Sequence, residues 1–537
     1  MSAAPTLQSF IAGRWIGQHG AQTLRSAIDG HVLAHAHEER PDFAEALAWG
    51  RQQGRSGLMD LDFQQRAQRL KALALYLAER KEQLYALSHH SGATRADSWI
   101  DIEGGNATLF SYAGIGAREL PSGNLVHEGP AIPLGKQGHF AGSHILVPRA
   151  GVAVHINAFN FPIWGMLEKF APTFLAGMPC IIKPATATSY LTEAVVRLID
   201  ESGLLPAGAL QLVIGSTGDL LERLDGQDLV TFTGSADTAA KLRVTPSLIR
   251  NSVPFTAEAD SLNCAILGPD VTPDSEEFEL YIKEVAREMT TKAGQKCTAI
   301  RLAIVPAKHL DAVATRLRER LSKVVVGDPS VEGVRMGALA SHAQQADVGE
   351  RVEQLLQSCD LLFGARDGFE PRGEGVANGA FFAPTLLLAR DAHADGGAHD
   401  IEAFGPVSTL MTYDDLDEAL VLAARGKGSL VASLVTADRA VAAKAIPVAA
   451  AWHGRLLVLD REAALESTGH GSPLPQLKHG GPGRAGGGEE LGGLRAVKHY
   501  LQRAAVQGSP SMLTAVTGEY VRGAEVIETD VHPFLSL

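Results

Sequence analysis

The chain is poor in cysteine. Cys180, Cys264, Cys297 and Cys359 are the only four in 537 residues, and no CxxC spacing occurs. That excludes a disulfide framework and a zinc ribbon, and it fits a reducing compartment. A Lys/Arg-rich block is also missing: 48 Lys+Arg stand against 61 Asp+Glu, a net charge of −13. Nucleic acid and anionic membranes are therefore poor partners, although a small anionic ligand can still find a local cationic pocket. The longest charge-free apolar stretch, residues 170–182, is interrupted by Pro and Gly, and residues 1–8 lack the basic start and apolar run of a signal peptide. The expectation is a cytoplasmic protein with no membrane partner. None of the 19 histidines falls in H-E-x-x-H or comparable ligand spacing, so no metal site is expected.

What is present is a chain too large for one core, with 45% apolar residues, enough for two or three packed units. Residues 58–89 and 191–202 have helical periodicity; in the second, Leu191, Val195, Leu198 and Ile199 share a face that Thr192 and Glu193 do not. Val152, Val154 and Ile156 alternate as in a strand, and further short strands are expected at 181–182, 210–214 and 229–233. Helices near 163–177, 189–202 and 217–224 alternate with them, the pattern of a parallel sheet covered on both faces. A second alternating region starts at 262–267, with a helix presenting Phe278, Tyr281, Ile282, Val285 and Met289, a strand at 302–305 and a helix at 308–322. The segment 468–493 is rich in Gly and Pro and leads into a β-leaning tail at 497–502. Within it Gly481, Gly483 and Gly486 formally fit G-x-G-x-x-G, but no strand precedes them and Pro482 sits inside, so an active-site or interface loop is the better reading.

Three local patterns carry chemistry. Cys297 follows Gly294-Gln295-Lys296; Gly294 allows close backbone approach, and a lysine beside a cysteine favours thiolate where the side chains meet. A lone intracellular cysteine is otherwise more often a small buried hydrophobe. Asn160, in Phe159-Asn160-Phe161-Pro162, follows a strand at the edge where α/β sheets bind ligands; its amide can donate to an oxyanion or simply shape a turn. Glu258, in Thr256-Ala257-Glu258-Ala259-Asp260, is either a general base with a raised pKa or a salt-bridge partner.

In this order these pieces resemble the aldehyde dehydrogenase superfamily, over nearly the whole chain. Phe10-Ile11-Ala12-Gly13-Arg14-Trp15 looks like its opening strand, Ile182-Lys183-Pro184-Ala185 like its ribose-binding strand, and Phe232-Thr233-Gly234-Ser235 like its pyrophosphate turn. Gly294-Gln295-Lys296-Cys297 looks like its nucleophile segment, and Glu402-Ala403-Phe404-Gly405-Pro406 like its nicotinamide-side loop. The resemblance implies an α/β fold of the aldehyde dehydrogenase type. It would have two parallel-sheet domains: a cofactor-binding one at 1–128 and 149–259 and a catalytic one at 260–475, with a small β oligomerisation element and tail at 129–148 and 494–537. It implies Cys297 as nucleophile, Glu258 as the base for thioester hydrolysis and Asn160 as an oxyanion donor. Lys169 would support a proton relay, and Phe159, Lys183, Gly234, Ser235, Glu402 and Phe404 would hold the cofactor. Glu168 stands where relatives carry a bulky apolar residue; it is either a second proton acceptor or an ion-pair partner of Lys169, the second being favoured.

Departures from the family pattern narrow the reading. The Glu258-Ala259-Asp260-Ser261-Leu262 string and Ala239 replace glycine-containing family motifs. The string Glu258 to Asn263, together with His479-Gly480-Gly481-Pro482-Gly483-Arg484-Ala485-Gly486-Gly487-Gly488, resembles one branch, whose members oxidise CoA-linked semialdehydes in aerobic aromatic degradation, either alone or as halves of bifunctional proteins; the stand-alone form is expected here. The implied reaction takes a CoA-linked aliphatic semialdehyde such as 3,4-dehydroadipyl-CoA semialdehyde to its acid. General medium-chain and CoA-acylating dehydrogenases are the alternatives. Arg484 is a candidate contact for CoA phosphates. Thr186 stands where NAD-preferring relatives carry a glutamate, so NADP is expected over NAD; capping of the next helix is its other reading. A homodimer or dimer of dimers is expected.

Overall fold

The structure, a computed structural model, describes residues 4–364 and 369–525; the last part of the expected tail, 526–537, lies outside the described residues. Two seven-stranded sheets dominate. The first runs in the order Phe255–Glu258, Leu229–Thr233, Ala153–Ile156, Cys180–Lys183, Leu210–Leu212, Ser9–Ile11, Arg14–Ile16. Its first five strands are parallel and its last two antiparallel. Strand Ala153–Ile156 is buried throughout, as a strand covered on both faces must be. The opening segment proves to be a hairpin, turned by Ala12 and Gly13 with φ of 49° and 73°.

The second sheet runs Cys359–Phe363, Thr385–Ala389, Val407–Tyr413, Leu302–Pro306, Cys264–Leu267, Ser429–Val435, His453–Leu459, parallel except for the first strand. Helix Glu276–Thr290 covers it with Phe278, Tyr281, Ile282, Val285 and Met289, all buried as the periodicity requires. A third, antiparallel sheet joins Val126–Pro133, Ala141–Pro148 and Leu501–Gly508.

Several elements depart from expectation for identifiable reasons. The helical stretch 58–89 breaks twice: helix Arg55–Met59 ends at its start, a capping box of Asp62 and Gln65 begins Phe63–Ala78 anew, and a turn at Glu79–Arg80 separates that helix from Lys81–His89. On helix Ser189–Ser202 Thr192 and Glu193 are buried too; Glu193 accepts from the Gln8 backbone N–H and pairs with Arg197. The helix expected at 217–224 shrinks to a 3₁₀ turn, Leu221–Arg223. Val497 lies in a helix, Leu494–His499, and the tail strand follows it, its register set by pairing with Ala141–Pro148. A long helix, Arg95–Glu119, escaped the periodicity because it is buried on several faces; its N-terminus carries a Thr94–Asp97 capping box.

Candidate active site

Between the two large sheets lies a cavity of about 420 Å³. Phe159, Asn160, Lys183, Gly234 and Ser235 reach it from strand ends of the first sheet and the turns after them, and Glu258 from that sheet's edge strand; Cys297, Glu402 and Phe404 reach it from segments between strands of the second sheet. Glu168 and Lys169 line a smaller neighbouring pocket together with Asn160, Glu258 and Cys297. Thr186 is not on the wall of the large cavity; it opens a 3₁₀ turn, Thr186–Thr188, just beyond Lys183. No side-chain cap closes the following helix, so its capping reading finds no support.

The nucleophile segment has an unusual backbone. Lys292, Ala293 and Gly294 are consecutive left-handed residues with φ of 52°, 51° and 68°, which turn the chain sharply out of helix Glu276–Thr290. They are held in place: Asp97 Oδ1 accepts the Lys292 N–H at 2.7 Å, Lys292 Nζ donates to Ser91 Oγ, and Gln295 Nε2 donates back to the Lys292 carbonyl. A Cβ on Gly294 would lie 2.1 Å from the Gly405 carbonyl oxygen, so the close approach inferred for this glycine is real. Arg301, buried, donates to the carbonyls of Gly405, Gly294 and Lys296 and stands 3.4 Å from Glu402, locking the nucleophile segment to the 402–406 loop. Sequence reasoning missed Arg301; its signal was an arginine at the head of the apolar run 302–306.

Asn160 Nδ2 donates to the Gln295 carbonyl at 3.0 Å, which places the amide beside Cys297. The Lys296 charge favours the Cys297 thiolate, as expected, while its ammonium is paired directly with buried Glu288 at 2.6 Å. Burial pushes the Cys297 thiol well up, the Glu258 and Glu168 carboxylates add to that, and Lys296 opposes it. Glu258 is not raised. Burial pushes it up, but the neighbouring His479 imidazolium and Lys169 more than offset this and hold it at about 2. Of the two readings of Glu258, the charge-paired one describes its resting state: His479 Nε2 is 3.2 Å from Glu258 Oε1, close enough for attraction although not aligned as a hydrogen bond. Lys169 Nζ lies 3.1 Å from Glu168 Oε1, the ion-pair reading of Glu168.

Although no metal spacing is legible in the sequence, the fold brings a carboxylate, a thiol and an imidazole together. Donor atoms of Glu258, Cys297 and His479 lie within 4.8 Å of one another. His479 lay inside a motif singled out for its glycines, and only the folded chain gives it a neighbour. The glycine loop packs on strand Phe255–Glu258: Ala259 N–H donates to the Ala485 carbonyl, and a Cβ on Gly486 would meet the Ala257 carbonyl oxygen at 2.2 Å. Arg484 donates to the carbonyls of His399 and Asp400 and stands 3.7 Å from Asp260, so it braces this loop and is not held ready for a phosphate.

On the cofactor side, a half-buried lysine facing a cavity of this size fits an anionic ligand group, and desolvation pushes the Lys183 ammonium down. Gly234 and Ser235 stand at the start of helix Ala236–Arg243, where a phosphate would be received. Asp260, one of the departures from the family pattern, accepts the Ala236 N–H at 2.8 Å and so occupies one donor there. Phe159 and Phe404 meet edge to face at 5.8 Å across the cavity.

A thiol, a carboxylate and a side-chain amide thus face one cleft between two α/β sheets, the groups that forming and hydrolysing a thioester require. The chain belongs to the aldehyde dehydrogenase family, whose model matches residues 15–505. It is 43% identical over 478 residues to 3,4-dehydroadipyl-CoA semialdehyde dehydrogenase of Aromatoleum evansii, covering 89% of this chain and 93% of that one. Over 200 residues it is 54% identical to protein MaoC of Klebsiella aerogenes, a match covering 37% of this chain and 58% of that protein. Its fold is that of betaine aldehyde dehydrogenase from Staphylococcus aureus, solved in complex with NAD+: TM-score 0.81 at 21% identity, covering 97% of each chain.

Proposed function

We propose that the protein oxidises a CoA-linked aliphatic semialdehyde, 3,4-dehydroadipyl-CoA semialdehyde or a close analogue, to the free carboxylic acid in aerobic aromatic degradation. The observation that carries the substrate reading is the 43% identity over 93% of the length of the Aromatoleum evansii enzyme. Cys297 Sγ attacks the aldehyde carbon, and the Asn160 amide turns from the Gln295 carbonyl to the developing oxyanion. Phe159, Lys183, Gly234, Ser235, Glu402 and Phe404 would hold NADP, which would supply the hydride acceptor. Glu258 takes a proton from the water that cleaves the thioester, and the Glu168–Lys169 pair borders the path by which that proton leaves. A buried carboxylate beside the nucleophile supports hydrolysis over transfer of the acyl group to free CoA.

NADP is the preferred cofactor in this reading because Thr186 offers no carboxylate to repel a 2′-phosphate three residues after Lys183. The protein acts in the cytoplasm as a homodimer or dimer of dimers; exposed Ile132, Leu134 and Phe140 on the hairpin of the third sheet support association there. Among the described residues no helix is long and apolar enough to cross a membrane. Comparing kcat/KM for free and CoA-linked semialdehydes with both cofactors tests the reading. CoA-linked substrate should win, and NADP should exceed NAD by roughly ten- to a hundredfold, a preference lost in Thr186→Glu. Equal use of short free aldehydes, or an NAD preference in the native chain, contradicts it.

A further inference from the structure

Three donors of different kinds, a thiol, a carboxylate and an imidazole, converge on one point of the site. His479 Nε2 is 3.9 Å from Cys297 Sγ and 3.2 Å from Glu258 Oε1, and the third side of the triangle is within 4.8 Å. In a tetrahedral zinc site, with Zn–S of about 2.3 Å and Zn–N or Zn–O of about 2.0–2.1 Å, neighbouring donors stand about 3.3–3.6 Å apart. The two separations at His479 fall close to that spacing on either side.

Each donor is held by a separate element. Glu258 ends strand Phe255–Glu258, in register with Thr233, and His479 pairs with Glu490 in the short antiparallel ladder Lys478–His479. The Cys297 carbonyl accepts from Asn263 Nδ2 at 2.7 Å, and Thr298 beside it donates to the Gly471 carbonyl. The His479 ring is buried edge-on to Trp164, with centroids 5.8 Å apart. Donors fixed in this way need little ordering to receive an ion. Both carboxylate oxygens of Glu258 are buried with no aligned hydrogen-bond partner. Glu258 and Cys297 also line the large cavity, which gives an ion a way in and room for a water as fourth ligand.

Charge favours a divalent cation. At rest the ionised Glu258, the His479 imidazolium and the protonated Cys297 thiol sum to zero. Coordination needs a neutral imidazole and a thiolate, so the ion displaces one proton from Nε2 and one from sulfur, and both leave to solvent. Two positive charges go out and two come in. The neighbouring ammonium groups are already paired, Lys296 with Glu288 and Lys169 with Glu168. A mixed sulfur, nitrogen and oxygen set suits Zn2+, whereas Mg2+ and Ca2+ take oxygen ligands.

We propose that Glu258, Cys297 and His479 form an inhibitory site for Zn2+, which ties up the sulfur and the carboxylate together; the inhibition, though not the site, rests on the reading of Cys297 as nucleophile. Withdrawal of the ion returns both protons and the resting ion pair, so the inhibition is reversible.

The test is equilibrium dialysis of the metal-free full chain against zinc chloride, comparing native protein with Cys297→Ala, Glu258→Gln and His479→Phe, the last keeping a ring against Trp164. Zinc at surface histidines is common to all four proteins and cancels. At about 1 µM free zinc the native chain should retain one equivalent more than each variant. Zinc should also slow alkylation of native Cys297 by iodoacetamide at least about tenfold, read by peptide mass, and a chelator should restore the rate. Magnesium chloride should do neither. Equal retention by native protein and variants overturns the proposal. So does retention lost in Cys297→Ala alone, which would mean a thiol that takes zinc without the other two. Where one variant does not fold, the other two decide. Neither readout needs aldehyde or cofactor, so a wrong substrate assignment leaves the result intact.

Discussion

The carboxylates of Glu402 and Glu258 both line the cavity, and their surroundings drive them in opposite directions. Burial raises Glu402 to about 7, with Arg301 opposing and Asp260 adding, whereas His479 and Lys169 keep Glu258 ionised. From about pH 4.5 to about 7 the folded chain holds a proton on Glu402 that the unfolded chain has released. Its contribution to stability therefore falls as pH rises through that window. Thermal melts of native protein and Glu402→Gln across this range should diverge, the native Tm declining more steeply towards neutrality; parallel curves mean that Glu402 ionises normally. Residues whose role depends on immediate neighbours were legible in the sequence: Gly294 before the nucleophile and Asn160 after a strand end. The charge of Lys296 beside the thiol was legible too, but its direct partner Glu288, on the preceding helix, was not, and His479 was unreadable because its partners lie 182 and 221 positions away.

At the scale of elements, the edge strand Phe255–Glu258 pairs with Leu229–Thr233 on one side and is met on the other by the glycine loop. That contact sets where Glu258 stands. Gly486 has φ +104° and a Cβ there would press on the Ala257 carbonyl at 2.2 Å, while Gly487, at φ +76°, has nothing within 4 Å of the same position. Gly487→Ala should cost only backbone strain, about 1 kcal/mol. Gly486→Ala must also displace the strand and should cost about 2–4 kcal/mol and slow turnover through Glu258. Denaturant unfolding with steady-state rates checks this, and equal effects from the two variants would mean that the loop does not position the strand. Strands and helices with strong periodicity, such as Ala153–Ile156 and Glu276–Thr290, could be read from the chain. Of the tail strand Leu501–Gly508 only the first two residues fell within the β-leaning stretch read at 497–502, since the rest is specified by its partner at Ala141–Pro148 and not by its own β-branched content.

For the whole molecule, the order of the two sheets follows from the family resemblance, and the cavity between them gathers the thiol, the carboxylate and the cofactor-facing residues. The central claim is that aldehyde oxidation passes through an acyl-Cys297 that Glu258 helps to hydrolyse. Rapid mixing of Glu258→Gln with NADP and substrate tests it most directly, because the variant keeps the shape of the site but loses the base. A burst of one equivalent of reduced cofactor per chain should precede a much slower steady state, with an acyl adduct on Cys297 in the intact mass and no burst from Cys297→Ala. An unchanged steady-state rate with no adduct, or a burst that survives in Cys297→Ala, would contradict the account.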